Sequence, residues 1–180
     1  NYSVDVLIAF PGTVATDAET IPAARNILAR VKEITNRTDM MIVSVAYPQQ
    51  GMLFGDGIRE AEAALLWVNE KSKKELKRKI GKIFLIGHSW GSLVGTLAVQ
   101  RRPDLFAAYV GLGQLVHRDR QEAISYDWVV EQARRDGNDA ALAELATIHP
   151  PYTTQREFRL QRGWLSHYHG EIHDTQRARA

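Results

Sequence analysis

Gly87-His88-Ser89-Trp90-Gly91 is the stretch of this 180-residue chain whose residue types and spacing point to a reaction. Before it, Ile83-Phe84-Leu85-Ile86 is an unbroken apolar run; after it, Ser92 to Gln100 carries Leu93, Val94 and Leu97 at helical spacing. The serine therefore falls on a turn from a strand into a helix, the setting of a nucleophile elbow. A serine at such a turn is held in a strained backbone, its hydroxyl clear of the chain and the helix N-terminus favouring negative charge. The elbow positions Gly87 and Gly91 keep side chains out of the tight turn. Gly95, one helical turn on, lets the helix pack close to the sheet.

The surrounding elements alternate as a parallel sheet with crossover helices requires. Val4 to Phe10 reads as a buried strand ended by Pro11-Gly12-Thr13, and Ala24, Ile27, Leu28, Val31 and Ile34 form the apolar stripe of a helix from about Ile21 to Thr35. Met40 to Tyr47 is the second strand, Pro48 to Gly57 a loop, and Ile58 to about Lys79 a helix with a strongly basic end. Ile83 to Ile86 leads into the elbow, and Ala107 to Leu112 supplies a fourth strand after the break at Arg101-Arg102-Pro103-Asp104. Thereafter the pattern is helical: Gln121 to about Asp136, Asp139 to Ile148, then, past Pro150-Pro151, a short helix around Arg159 to Ser166 in a polar tail.

Composition excludes several classes. With 44% hydrophobic and 24% charged residues the chain reads as a soluble globular protein, and no apolar stretch approaches the roughly 20 residues that span a bilayer. A formal charge of +2 argues against a nucleic-acid partner. The absence of cysteine removes disulfide and thiolate chemistry. Asn1-Tyr2-Ser3 leads directly into the first strand without a signal-like segment, so the expected compartment is cytoplasmic, with a removed leader left open.

Gly87-His88-Ser89-Trp90-Gly91-Ser92, the continuation Arg102-Pro103-Asp104-Leu105-Phe106-Ala107-Ala108-Tyr109-Val110-Gly111-Leu112-Gly113-Gln114, and the pieces Tyr126-Asp127-Trp128, Gln132-Ala133-Arg134 and Pro150-Pro151-Tyr152 resemble the proline-iminopeptidase-like α/β-hydrolases. The last three resemble that family's cap. The first half departs from it: Phe10-Pro11-Gly12-Thr13 and Ala46-Tyr47-Pro48-Gln49-Gln50-Gly51 resemble looser esterase-like or dienelactone-hydrolase-like members of the superfamily. The resemblance implies a three-layer α/β fold with a parallel sheet cut short after four visible strands. Residues 1–116 would form the core with its elbow, and residues 117–180 a cap-like helical segment and polar tail.

It also implies nucleophilic acyl transfer without a cofactor. Ser89 would attack a carbonyl, a histidine would take its proton and a carboxylate would orient that histidine. The oxyanion would be held by the backbone N–H of Trp90 and, by position, that of Thr13, although Pro11-Gly12-Thr13 also reads as a plain strand-ending turn. The acid and base are harder to place. Asp127 and Asp136 fall on helices where a solvated carboxylate is the simpler reading, and His88 shares the elbow but points away from its neighbour. His167 and His169 lie at a plausible distance after Ser89, and His169 is the candidate base. The cluster His167-Tyr168-His169-Gly170-Glu171-Ile172-His173-Asp174 matches no standard zinc spacing, so no metal is expected.

Two functional classes follow. One is a serine hydrolase acting on a small carboxylic ester or the N-terminal amide of a short peptide. The other is an incomplete or non-catalytic hydrolase-fold protein serving as a binding module. A sheet ending at its fourth strand would also expose an apolar edge, through which a homo-oligomer could form.

Overall fold

The computed structural model describes residues 3–14, 16–46 and 57–171, which fall into two compact units, Asn1–Leu115 and Val116–Ala180. The first is built on four strands, β1 (Ser3–Phe10), β2 (Met40–Ser44), β3 (Lys79–His88) and β4 (Ala108–Leu112). All pair in parallel, in the order β2-β1-β3-β4. Among the described residues three helices flank them: α1 (Thr20–Thr35), α2 (Gly57–Lys71) and α3 (Trp90–Arg101).

The strand period of two sorts β1 into two cores. Val6, Ile8 and Phe10 join Val68 of α2, Leu85 of β3 and Val94 and Ala98 of α3 in one cluster. Leu7 and Ala9 join Val31 of α1 in the other, with Met40, Ile42, Phe84 and Ile86 against them. A strand with apolar residues on both faces must lie between two helical layers. The three-layer α/β arrangement expected from the sequence is the one that forms.

The edge strand β4 is covered on one side only. Tyr109 pairs with Leu85 and turns toward α3, whereas Val110 and Leu112 pair with Ile86 and His88 on the α1 side. There Val110 is 50% and Leu112 43% exposed.

The structure corrects some boundaries. The helix expected to reach Lys79 stops at Lys71 and loosens into a π-turn over Ser72–Leu76. Lys77 takes a left-handed conformation (φ 51°) and its N–H bonds the Ser72 carbonyl, while the Ser72 hydroxyl donates to the Arg78 carbonyl at 2.8 Å. The chain is thus turned into β3 four residues before the apolar run begins. Lys79 and Ile80 pair with Ser3 and Val4, and Asp5 Oδ1 accepts the Lys82 N–H at 2.8 Å where the register shifts. That polar lead-in carries no periodicity to read. The second strand ends at Ser44 rather than at Tyr47; Tyr47 itself, and the expected loop as far as Asp56, lie outside the described residues.

The second unit contains α4 (Arg118–Arg135), α5 (Asp139–Leu145) and α6 (Gln155–His167). Val129, Ala133, Ala141, Leu145, Ile148, Tyr152 and Leu165 form its core. Each helix starts at a side-chain cap: His117 Nδ1 accepts from Arg120 N, Asn138 Oδ1 from Ala141 N, and Thr154 Oγ1 from Glu157 N. Thr154 and Glu157 complete a capping box, so α6 begins at Gln155 rather than near Arg159. Glu122, buried in α4, is held by Arg162 of α6 at 2.8 Å, and Gln161 beside it donates to Ser125 Oγ at 2.8 Å. Burial, reinforced by the Glu122 charge, pushes the Tyr152 hydroxyl well above the usual phenol range, so it stays neutral.

Leu85→Ala empties a space shared by β1 and α3 in a core that is nearly solvent-free. A loss of about 2–5 kcal/mol in urea unfolding is expected. The backbone N–H groups of Thr153 and Thr154 hold the Glu157 carboxyl below its ordinary value of 4.5. Its contribution is therefore complete above that value and is lost as pH falls through the depressed one. Glu157→Gln should lower stability at about pH 7, and the difference from the parent should shrink progressively as pH falls below the ordinary carboxylate value, read by urea titration at each pH.

Candidate active site

Strand order decides where a site can form. From β1 the chain moves to β2 on one side, then crosses back over β1 to β3 and outward to β4. Neighbouring β1 and β3 thus send their following segments in opposite directions, and the crevice at their C-terminal ends is the place where open α/β sheets bind ligands. Phe10-Pro11-Gly12 leaves β1 there, and Ser89 leaves β3.

Ser89 has φ 52° and ψ −120°, between the last residue of β3 and the first of α3. A non-glycine residue holds such a conformation at a cost of about 1–3 kcal/mol and only where its surroundings fix it. Its N–H donates to the Leu112 carbonyl of β4 at 2.8 Å, and its carbonyl accepts the Ser92 N–H at 2.9 Å. A Cβ placed on Gly12 would stand 3.0 Å from Ser89 Cβ and 3.1 Å from His88 Nδ1, and one on Gly113 (φ +56°) 3.9 Å from Ser89 N. The serine is therefore enclosed between the exits of β1 and β4.

The glycines of the motif are required by contact. A Cβ on Gly91 would lie 2.2 Å from the Phe10 carbonyl oxygen, and one on Gly87 2.3 Å from that of Gly91. Gly95 would meet Tyr109 at 2.5 Å and Leu85 at 2.8 Å, which is how α3 comes down onto the sheet. Trp90, the first residue of α3, is half-buried and packs against the core of this unit. Thr13 follows Gly12 and is exposed.

Ser89, Trp90, Gly87, Gly91, Pro11 and Gly12 thus come together in the first unit. His117, His149, His167 and His169 belong to the second unit. His169 is exposed, in the left-handed turn (φ 58°) that follows α6. His167 packs edge-on to Trp164 and Tyr168, His149 lies 5.7 Å from the Tyr126 ring, and His117 caps α4. Asp127 and Asp136 are exposed, on α4 and at its end. Among the described residues no three His, Asp or Glu side chains gather as a metal site, and Ile172, His173 and Asp174 lie outside them. No helix among the described residues is long and apolar enough to cross a membrane. Residues 47–51 of the Ala46-to-Gly51 segment are also outside the described residues.

Sequence reasoning missed Gly12 and Gly113 as walls of the site, and Ser92, Tyr109 and Gln114 beneath it. Each is significant only through a neighbour from another strand or helix. A glycine just past a strand end was the available signal for the first two.

A model of the alpha/beta hydrolase fold family matches residues 64–167. Among curated proteins, the probable aminopeptidase YbaC of Bacillus subtilis (strain 168) is 42% identical over 50 residues, 28% of this chain and 16% of that protein. The crystal structure of polyneuridine aldehyde esterase superposes with a TM-score of 0.35 and 14% identity, over 75% of this chain and 48% of that one. The chain thus spans well under two thirds of the length of either.

Gly91→Ala would drive a methyl group into two backbone carbonyls that cannot yield without moving β1. A destabilisation of about 3 kcal/mol is expected, against no loss for Gly163→Ala in α6, where the glycine is exposed and an added Cβ meets nothing within 4 Å, both by thermal melts.

Proposed function

Because this chain belongs to the alpha/beta hydrolase fold family, we propose that it is a serine hydrolase in which Ser89 attacks the carbonyl carbon of a small carboxylic ester or of the N-terminal amide of a short peptide. The observation that carries this reading is the backbone of Ser89, φ 52° and ψ −120°, at the junction of β3 and α3. Strain of that kind persists where the surrounding structure holds it, and here β4, α3 and the β1 exit all do so.

In this mechanism the Ser89 Oγ–H gives its proton to an imidazole as Oγ bonds the carbonyl carbon, and the carbonyl oxygen becomes an oxyanion. The N–H of Trp90, on the first turn of α3, and that of Thr13, one residue beyond the glycine on which a Cβ would stand 3.0 Å from Ser89 Cβ, receive that charge. The imidazolium then protonates the departing alcohol or amine. Water, deprotonated by the same imidazole, releases the acid from Ser89. His169 is the candidate base from its place in the sequence. An amide substrate draws support from the aminopeptidase name of the Bacillus subtilis relative, and the ester is the less demanding substrate for the same chemistry.

A fluorophosphonate probe tests the nucleophile directly. The protein should be labelled and should turn over a short-chain p-nitrophenyl ester, with both lost in Ser89→Ala, by about a thousandfold or more for turnover. His169→Ala separates that residue's role, since an unchanged rate would assign the base to another histidine. A folded protein that neither labels nor turns over ester would leave the non-catalytic binding module as the reading.

A further inference from the structure

Ser92 is fully buried, yet its hydroxyl is engaged on both sides. Oγ donates to the Ser89 carbonyl at 2.5 Å and accepts the N–H of Leu115, just beyond β4, at 3.0 Å. The backbone N–H of Ser92 bonds the same Ser89 carbonyl at 2.9 Å. That carbonyl and the N–H of Trp90 belong to one peptide group, which is planar and trans, so they point in opposite directions. Whatever aims the carbonyl also aims the N–H.

We propose that Ser92 is a positioning residue that sets the direction of the Trp90 N–H toward the oxyanion, an inference resting on the reading of Ser89 as the nucleophile. A hydroxyl bonded to the carbonyl three residues back is common at helix starts, and alone would mean little. Here the same oxygen is tied to the segment leaving β4, and Ser89 N is tied to Leu112 within β4. Both peptide groups of Ser89 are thereby referred to one strand.

A second layer holds Ser92. The Tyr109 hydroxyl faces the Ser92 carbonyl at 2.6 Å and Gln114 Oε1 at 2.7 Å, and the Thr96 hydroxyl donates to the Ser92 carbonyl at 2.9 Å. Gln114 Nε2 donates to the Leu115 carbonyl at 2.8 Å and to Thr96 Oγ1 at 3.1 Å. Room for the Gln114 amide exists because Gly111 has no side chain; a Cβ there would lie 2.0 Å from Oε1. The network meets the reacting centre at the Ser89–Trp90 peptide. Its removal should therefore weaken the oxyanion contact, which matters in the transition state, and leave substrate binding alone.

The test compares Ser92→Ala, Tyr109→Phe and the core control Leu85→Ala at a temperature where circular dichroism shows each to be native. The measurements are kcat and KM on p-nitrophenyl acetate and the fluorophosphonate labelling rate. Ser92→Ala should lower kcat and the labelling rate about tenfold with KM unchanged, and Tyr109→Phe about threefold, while Leu85→Ala keeps kcat within about twofold. An unchanged kcat in Ser92→Ala, or an equal fall in Leu85→Ala, would overturn the inference and leave the nucleophile reading standing. Should Ser92→Ala fail to fold, Tyr109→Phe decides alone, an unchanged kcat sinking the proposal. A parent protein unlabelled at Ser89 defeats the nucleophile reading, and this inference with it.

Discussion

The approach of α3 to the end of β1 is the contact on which the first unit depends. The Gly91 Cα sits where any Cβ would be 2.2 Å from the Phe10 carbonyl oxygen and 2.6 Å from that of Pro11. Helix and strand can come this close only with glycine between them. That proximity fixes the start of α3 beside the β1 exit, leaves no relaxed path for the turn from β3, and places Ser89 in a conformation that an unconstrained serine avoids. The hydrogen bonds from Ser89 to Leu112 and from Ser92 to Ser89 then hold it there.

The sheet supplies the rigidity against which this strain is held. β1 is buried on both faces and paired on both edges, with Val6, Ile8, Ala9 and Phe10 all excluded from solvent. β4 is different: among the described residues it is paired on one edge, and its α1-side residues are exposed. Yet its last residues and the turn beyond provide the acceptor for the Ser89 N–H and the donor to Ser92. The part of the sheet with least packing thus carries the bonds nearest the strained residue. Gly95 compensates by letting Tyr109 reach under α3, where its hydroxyl enters the polar network.

The second unit is stabilised differently. Its helices depend on a shared apolar core and on caps at each N-terminus, most of all the seven-residue α5. The Glu122–Arg162 pair and the Gln161–Ser125 bond bring polar groups inside, where each needs its partner, and so specify how α4 and α6 face each other. Arg162 also lies over the Phe158 ring at 4.5 Å, a cation–π contact within α6.

The strand-to-helix turn at Ser89, the helical stripe of α1 and the parallel α/β class were legible in the sequence because each is written in local periodicity and in glycine spacing. The lead-in of β3 at Lys79 and Ile80 was not, since Ile80 stands alone among Lys79, Gly81 and Lys82 and gives no apolar pattern. Nor was the start of α6, although Thr154 and Glu157 stand at capping-box spacing, because the pattern gains meaning only once a helix follows. At the candidate site the sequence determined the serine, its neighbour Trp90 and the two flanking glycines. Only the tertiary structure decided that Gly12 and Gly113 stand where an added Cβ would meet Ser89, and that Ser92, Tyr109, Gln114 and Gly111 form one network. The physical reason is the strand order: β3 inserts between β1 and β4, and residues separated by most of the unit meet across hydrogen bonds that no local pattern encodes.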